Sequence, residues 1–235
     1  MKILSVIPAR GGSKRIPGKN IRLLGNKPLI AWTLESSNHV LEICDQLVST
    51  DDPQIAEIAQ SYGGLVPWLR PADLATDVAK SVDVCLHALE WYENSYGAVD
   101  GLLLLQPTSP FRSEATIKAG IELFSRFHQR PVVSVSPAKS HPLWCFRLED
   151  SGIKPFLENG GLYMRSQDLP PAYSLNGAFY LIKPDQLRNE KSFFPKNLVP
   201  LIMKSELETI DLDTLWDWQI AEAVLAKTES ERSLH

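Results

Sequence analysis

The chain has 235 residues, 44% hydrophobic and 22% charged, long enough to bury roughly 70 to 75% of the surface its unfolded form exposes. Six Trp and eight Phe beside only 13 Gly and 17 Pro exclude a disordered, low-complexity or collagen-like chain, and no apolar run approaches the ~20 residues that cross a bilayer. A net charge of −4 argues against general affinity for nucleic acid or anionic lipid, yet residues 1–34 hold seven bases and no acid, leaving 17 bases against 28 acids in the remainder.

In chain order, Lys2 to Ile7 reads as a buried first strand that stops at Pro8. The apolar stretch Ile3–Ile7 is too short for a secretory leader, which predicts a cytoplasmic protein. A helix is expected from near Pro28. Gln46–Ser49, Gly101–Leu105 and Pro131–Val135 read as central strands. Between them, Pro53–Tyr62, with Ile55, Ile58 and Ala59 on one face, reads as a helix stopped by Gly63 and Gly64. Val78–Asn94 repeats Val78, Val82, Cys85, Leu86 and Leu89 at helical spacing, and Ile117, Ile121 and Phe124 mark another helix.

Past Pro137 the alternation breaks. Trp144–Leu148 and Ile153–Leu157 around Asp150, Ser151 and Gly152 predict a hairpin-like arm. Asn176–Lys183 and Glu208–Leu212 read as strands, and Asp213 as a possible cap of a last helix that buries Leu215, Trp218 and Leu225. The expected organisation is one domain over 1–228 with an excursion at 137–173 and a flexible tail at 229–235. Strands alternating with helices predict a three-layer, Rossmann-like α/β fold with a mostly parallel sheet. Cys44, Cys85 and Cys145 are odd in number and far apart, which suggests neither a disulfide framework nor a CxxC metal site.

The segment PARGGSKRIPGKN, Pro8–Asn20, leaves the first strand with Arg10, Lys14, Arg15 and Lys19 among Gly11, Gly12 and Gly18. Glycines let backbone N–H groups converge on an oxygen, while the bases neutralise its charge, so the loop fits a polyphosphate. It has neither the GxxxxGK[ST] register of a P-loop ATPase nor GxGxxG. A solvated basic loop is the bland alternative.

The fuller string IPARGGSKRIPGKN resembles the first motif of the cytidylyltransferases that activate nine-carbon acidic sugars, the CMP-N-acetylneuraminic acid (CMP-sialic acid) synthetases and the related CMP-legionaminic and CMP-pseudaminic acid synthetases. RPADL (Arg70–Leu74) with Ser81, LLQPTSPFR (Leu104–Arg112), QDLPPAY (Gln167–Tyr173), NGAFY (Asn176–Tyr180), the pair Phe193 and Phe194, and IDLD (Ile210–Asp213) follow in the family's order. The resemblance spans nearly the whole chain. It implies a nucleotidyltransferase fold and transfer of CMP from CTP to the sugar, with release of pyrophosphate.

By this resemblance Arg10, Ser13, Arg15 and Lys19 meet the triphosphate, and Arg10, Lys19 and Asp211 form the catalytic set. Asn20, Arg70 and Ser81 are nominated for cytosine; without the resemblance they read as a loop Asn, a surface Arg and a helix-surface Ser. Asp211 and Asp213, two apart on an expected extended segment, face one side and suit Mg²⁺, although Asp213 read alone is a helix cap. Gln106 follows a buried strand, where α/β sheets place ligand contacts. Gln106, Asn176 and Tyr180 are nominated for the sugar, Phe193 and Phe194 for its acyl methyl, and Arg165 for its carboxylate; a Phe pair alone reads as core.

Basic residues usual in the family are replaced at Ser166, at Ser174 or Leu175, and at Leu143 or Trp144. This widens the implied sugar to legionaminic or pseudaminic acid. The resemblance also implies a homodimer joined through 137–173. The competing readings are a CMP-Kdo-type or other sugar nucleotidyltransferase, and a nucleotide-binding sensor without catalysis.

Overall fold

A computed structural model describes residues 1–150, 152–157 and 161–232. Strand β1 (Ile3–Pro8) leads into the basic loop. A short ladder of β2 (Leu23–Leu24) with antiparallel β3 (Lys27–Pro28) delivers the chain to helix α1 (Leu29–Ser37), whose cap position is Pro28. Strand β4 (Ile43–Ser49) precedes α2 (Pro53–Ser61), started by the Asp52 carboxylate, which accepts the N–H groups of Gln54 and Ile55.

Helix α3 (Ser81–Tyr96), strand β5 (Gly101–Leu104), helix α4 (Glu114–Arg126, capped by Ser113) and strand β6 (Val132–Pro137) then alternate as the periodicity predicts, except that Val78, expected to begin the buried face of α3, precedes the helix and is exposed. The expected hairpin is β7 (Phe146–Glu149) with β8 (Gly152–Pro155); Ser151 of its expected turn lies outside the described residues. Strand β9 (Tyr173–Ile182), helix α5 (Pro184–Glu190), strand β10 (Val199–Ile202) and helix α6 (Leu215–Arg232) complete the fold.

Six strands make one sheet in the order β10-β6-β9-β5-β1-β4. Five run the same way, and β9 lies antiparallel between β5 and β6. On one face, Leu34 of α1, Ile55 and Ala59 of α2, and Ile121 and Phe124 of α4 pack on Ile3, Ile7, Leu103 and Leu181. On the other, Cys85 and Leu89 of α3 and Leu187 of α5 pack on Leu4, Val6, Leu104 and Ile182. The result is the three-layer α/β arrangement expected from sequence. A third cluster joins Ile16 and Leu24 at the chain's start to Leu212, Trp218 and Ala221 near its end.

Pro137 pairs with Tyr173 across β6 and β9, so the excursion 138–172 leaves and rejoins the sheet at one point. Among the described residues, no helix is long and apolar enough to cross a membrane. Helix α6 continues through 229–232, where the sequence suggested the start of a flexible tail; 233–235 lie outside the described residues.

Local expectations change near the chain's end, where Leu215, expected on the buried face of the last helix, is half exposed. Glu208–Leu212 is not a strand: a 3-10 turn covers Leu207–Thr209, and the Leu212 N–H donates to the Thr108 carbonyl of a loop, not to a ladder. Asp213 does not cap α6. Thr214 does, because its hydroxyl accepts the Asp217 N–H while the Asp217 carboxylate accepts the Thr214 N–H. Strand β10 escaped the pattern because Pro200 interrupts it, which a sheet tolerates only at an edge, and β10 is one.

Gly120 in α4 has no side chain because the Phe179 ring occupies that space: a Cβ there would lie 2.4 Å from the ring. Gly120→Ala gains about 1 kcal/mol of helix propensity but overpacks the core at a cost of about 1 to 3 kcal/mol. The expected result is a lower urea midpoint with an unchanged slope; a raised midpoint would show that the Phe179 ring yields freely.

Candidate active site

The basic loop opens at the carboxyl end of β1, the edge where α/β sheets bind ligands. It is pinned at several points. The Gly11 N–H donates to Asp51 Oδ1 at 2.9 Å, and the Asn20 side-chain amide donates to the Arg10 carbonyl at 2.9 Å. Ile16 is fully buried in the third apolar cluster, and Gly18 turns the chain at φ +62°. The bases are thus presented on an anchored backbone, not on a freely solvated loop.

A cavity of about 260 Å³ opens over this loop, lined by Arg10, Ser13, Lys19, Asn20, Arg70, Ser81 and Gln106. Six of the seven residues nominated for the nucleotide therefore meet in one place. The seventh, Arg15, lies outside it and reaches Asp213 Oδ2 at 3.1 Å. Arg70 is not a surface residue: it is 6% exposed, and its guanidinium donates to the Ser49 hydroxyl and carbonyl. Burial pushes its pKa down, opposed chiefly by Asp51. Asn20 is likewise buried, and Ser81 opens α3 at the cavity wall.

Asp77, which no motif singled out, also lines the cavity. It pairs with Arg10 at 2.5 Å and with Lys14, and these two cations hold its carboxyl below the usual range. The local sequence offers no signal for this, since the pairing bridges 67 residues.

Lys19 spans the chain's two ends, donating to the Leu212 carbonyl at 3.0 Å and lying 3.6 Å from Asp213 Oδ1. Burial lowers its pKa, while Asp213 and Asp211 oppose the shift. Asp211 moves the other way: burial raises its pKa, Asp213 adds to the rise, and the Thr108 hydroxyl bond and Lys19 counter it. Asp211 Oδ1 is buried without a hydrogen-bond partner.

The helix-capping role that competed for Asp213 belongs to Thr214 and Asp217. Two neighbouring carboxylates, one with an orphaned oxygen, form a hard donor set of the kind Mg²⁺ accepts, since that ion keeps several waters and needs few protein ligands. Among the described residues, no group of three or more His, Cys, Asp or Glu gathers as a metal cluster.

The sugar nominees are less gathered. Gln106 faces the first cavity, and its Oε1 lies 2.8 Å from where a Cβ on Gly177 would stand; Gly177 has φ +79°. Asn176 faces a second cavity of about 880 Å³ that is lined by Asp211 and also by Lys139, Ser174, Leu175, Met203, Lys204, Glu206 and Ile210. Asn176 Oδ1 accepts from the Ser134 hydroxyl and the Ala178 N–H, leaving its Nδ2 buried and unpartnered.

Tyr180 is buried near Asp211, with its hydroxyl held by the Gly177 backbone and its pKa raised by burial. Its ring contacts Phe193 at 5.8 Å and Phe194 at 5.7 Å between centroids; Phe193 is buried and Phe194 half exposed. Arg165 stands apart on the excursion, exposed and paired with Asp168 at 2.8 Å, outside both cavities.

The profile of the cytidylyltransferase family matches residues 4–213. The chain belongs to the cytidylyltransferase family. It is 42% identical to the CMP-N,N′-diacetyllegionaminic acid synthase of Legionella pneumophila, over 96% of this chain and 97% of that one. It is 35% identical to an N-acylneuraminate cytidylyltransferase of Streptococcus agalactiae over 93% of its own length, but spans only 52% of that longer protein. A CMP:2-keto-3-deoxy-manno-octonic acid synthetase solved with CTP superposes with a TM-score of 0.71 at 18% identity, covering 97% of this chain and 100% of that one, which shows a shared fold. The family match carries the cytidylyltransferase class for this chain, and the geometry places its basic loop beside the paired carboxylates.

The loop and α2 are mechanically coupled, because a Cβ on Gly11 would lie 2.7 Å from Asp52 Oδ2, the oxygen beside the one that caps α2. Gly11→Ala is expected to cost about 0.5 to 2 kcal/mol through loss of that cap. In urea unfolding, Gly11→Ala and Asp52→Ala combined should cost clearly less than the sum of the two; full additivity would refute the coupling.

Proposed function

We propose that the protein is a CMP-nonulosonic acid synthetase. The anomeric hydroxyl oxygen of a nine-carbon acidic sugar attacks the α-phosphorus of CTP, the bond from that phosphorus to the bridging oxygen of the β-phosphate breaks, pyrophosphate leaves, and the hydroxyl proton passes to water. The observation that carries this reading is the meeting of an anchored glycine-rich basic loop with a carboxylate pair of which one oxygen is buried and unpartnered.

Such chemistry needs alignment and charge neutralisation more than a nucleophilic side chain. Arg10, Ser13 and Lys19 hold the triphosphate, with Arg15 at its outer edge, while Asn20, Arg70 and Ser81 read the cytosine. Asp211 and Asp213 hold Mg²⁺, which when bound neutralises phosphate charge and acidifies the sugar hydroxyl. Lys19 faces charge developing on the α-phosphate and leaving group.

The sugar lies between Gln106 at the first cavity and Asn176 at the second. Gln106 and Asn176 orient it, Tyr180 with Phe193 and Phe194 supplies an aromatic wall, and the apolar lining at Leu175, Met203 and Ile210 receives acyl methyls. Its carboxylate is paired by Lys139 and Lys204 at the second cavity or by Arg165 brought over by a second copy of the chain. Similarity to a CMP-N,N′-diacetyllegionaminic acid synthase makes diacetylated legionaminic acid the first candidate. No specific observation favours a Kdo-type activity or a non-catalytic sensor.

Leu148, Ile153, Phe156 and Tyr163 project as exposed apolar side chains from the excursion, with Tyr163 96% exposed. Such a patch is covered in most folded proteins, and we assign it to a second copy, giving a homodimer. A substrate pair that includes CTP sets the reaction in the cytoplasm.

Pyrophosphate release with CTP and Mg²⁺ across N,N′-diacetyllegionaminic, pseudaminic, N-acetylneuraminic and Kdo acids is expected to single out one nine-carbon acid; silence on all of them sinks the reading. Lys19→Ala should lose about 10²- to 10³-fold in kcat, the usual cost of one preorganised donor. Undiminished turnover of Asp211→Ala, or turnover that persists after chelation of divalent ions, would refute the metal assignment. Light scattering is expected at about twice the 26.3 kDa chain mass, and the mass of one chain would dismiss the dimer.

A further inference from the structure

Beneath the cavity floor lies a cation that the reaction as described does not use. Arg112 is 2% exposed. It ends the loop that runs from β5 through Gln106 and Thr108 to the cap of α4. Its guanidinium donates to the Ala178 carbonyl on β9 and, at 3.2 Å, to the Thr33 hydroxyl on α1; it also points at 3.5 Å to the Gln106 carbonyl.

Burying an arginine is costly, and an apolar side chain of similar size fills such space without that penalty. Among the described residues the acid that acts on it is Glu208, whose carboxylate is already engaged by the Ser113 N–H and the Thr116 hydroxyl. The cation therefore has no dedicated partner charge, and its contacts are with backbone and one hydroxyl.

Those contacts are informative by what they join. The Gln106 amide faces the first cavity and packs on Gly177. Ala178 directly follows the Asn176–Gly177 pair, and Asn176 faces the second cavity. The same loop presents Thr108, whose hydroxyl bonds Asp211 and whose carbonyl holds the Leu212 N–H.

We infer that Arg112 is a positioning residue: its planar fork ties the Gln106 loop to the strand carrying Asn176 and Gly177, and so sets the distance between the groups that face the sugar. The inference rests on the cytidylyl-transfer reading above. A fork is required, because the acceptors lie on a strand, a helix and a loop, and a single ammonium cannot span them with fixed geometry. The cytosine-facing Asn20, Arg70 and Ser81 stand on other segments that Arg112 does not touch, so its loss separates the two substrates.

The test compares Arg112→Lys and Arg112→Met with the parent protein, following CTP binding by calorimetry, steady-state turnover with the acid that the parent uses best, and thermal unfolding. Both variants are expected to bind CTP within about threefold of the parent while kcat/KM for the sugar falls about 10- to 100-fold, the scale of an ångström-sized misplacement. Lysine is not expected to rescue. A purely structural role would lower CTP binding and sugar turnover together, and parental turnover in Arg112→Met would also overturn the inference.

Should both variants fail to fold, Thr33→Val decides, since it removes one acceptor remote from either cavity. A several-fold fall in sugar kcat/KM with unchanged CTP binding supports the inference, and parental kinetics refute it. A parent silent on every acidic sugar would instead overturn the cytidylyl-transfer reading itself.

Discussion

The site depends on one clamp. Lys19, in the loop after the first strand, is bonded to the carbonyl of Leu212, 193 residues further along the chain, and faces Asp213. Burial disfavours the lysine's charge and the carboxyl group's charge alike; Asp213 and Asp211 oppose the shift at Lys19, and the Thr108 hydroxyl and Lys19 oppose it at Asp211. The apolar cluster of Ile16, Leu24, Leu212 and Trp218 lies under the clamp and supplies the burial that makes its geometry rigid. Without that cluster the basic loop would be a solvated strip of charge, and the carboxylates would have no cation to face.

The antiparallel β9 is the second constraint. A purely parallel sheet delivers only loops to its carboxyl edge, whereas a reversed strand between β5 and β6 brings its own beginning there, and with it Asn176 and Gly177. Gly177 has to lack a side chain because the Gln106 amide occupies the space. The excursion 138–172 occupies the connection between β6 and β9, so it leaves and rejoins the sheet beside the same edge. Fold and site are thereby linked: the strand that breaks the parallel rule is the one that brings polar groups to the second cavity.

Much of this was legible in the chain, for identifiable reasons. β1, α3 and α4 announce themselves because their apolar residues alternate or repeat over enough positions for one face to be evident. The basic loop is legible because few structural needs explain Arg10, Lys14, Arg15 and Lys19 among three glycines at a strand end. Glu208–Leu212 misleads because alternating apolar and acidic residues look alike in a strand and in an extended segment tied to a loop carbonyl.

Asp213 misleads as a cap because Thr214 next to it is the better one and closes a reciprocal bond with Asp217. Asp77, Lys139, Lys204 and Arg112 carry no local signal of a role. What they do depends on partners 60 or more residues away or on cavity walls drawn from several elements, which single-sequence periodicity does not encode. Arg165, chosen for its charge and its motif neighbours, is held by Asp168 three residues on, a contact that proximity in sequence favours.

The distribution of ion pairs also bears on how the site is loaded. Every base of the loop is already matched: Arg10 and Lys14 by Asp77, Arg15 and Lys19 by Asp213. The pairs of Lys14 and Arg15, whose cations are exposed, contribute at most about 1 kcal/mol each, because water competes for both partners, whereas Lys19 is largely buried. A triphosphate offers several charges at once to the same bases on an anchored backbone, and a polyanion held by amides and forked cations outcompetes single exposed carboxylates. Exchange is therefore favourable, and it has a directional consequence. On the proposed reading, a phosphate that took Arg15 and Lys19 would release Asp213 beside the orphaned oxygen of Asp211 and so free a second carboxylate for a divalent cation.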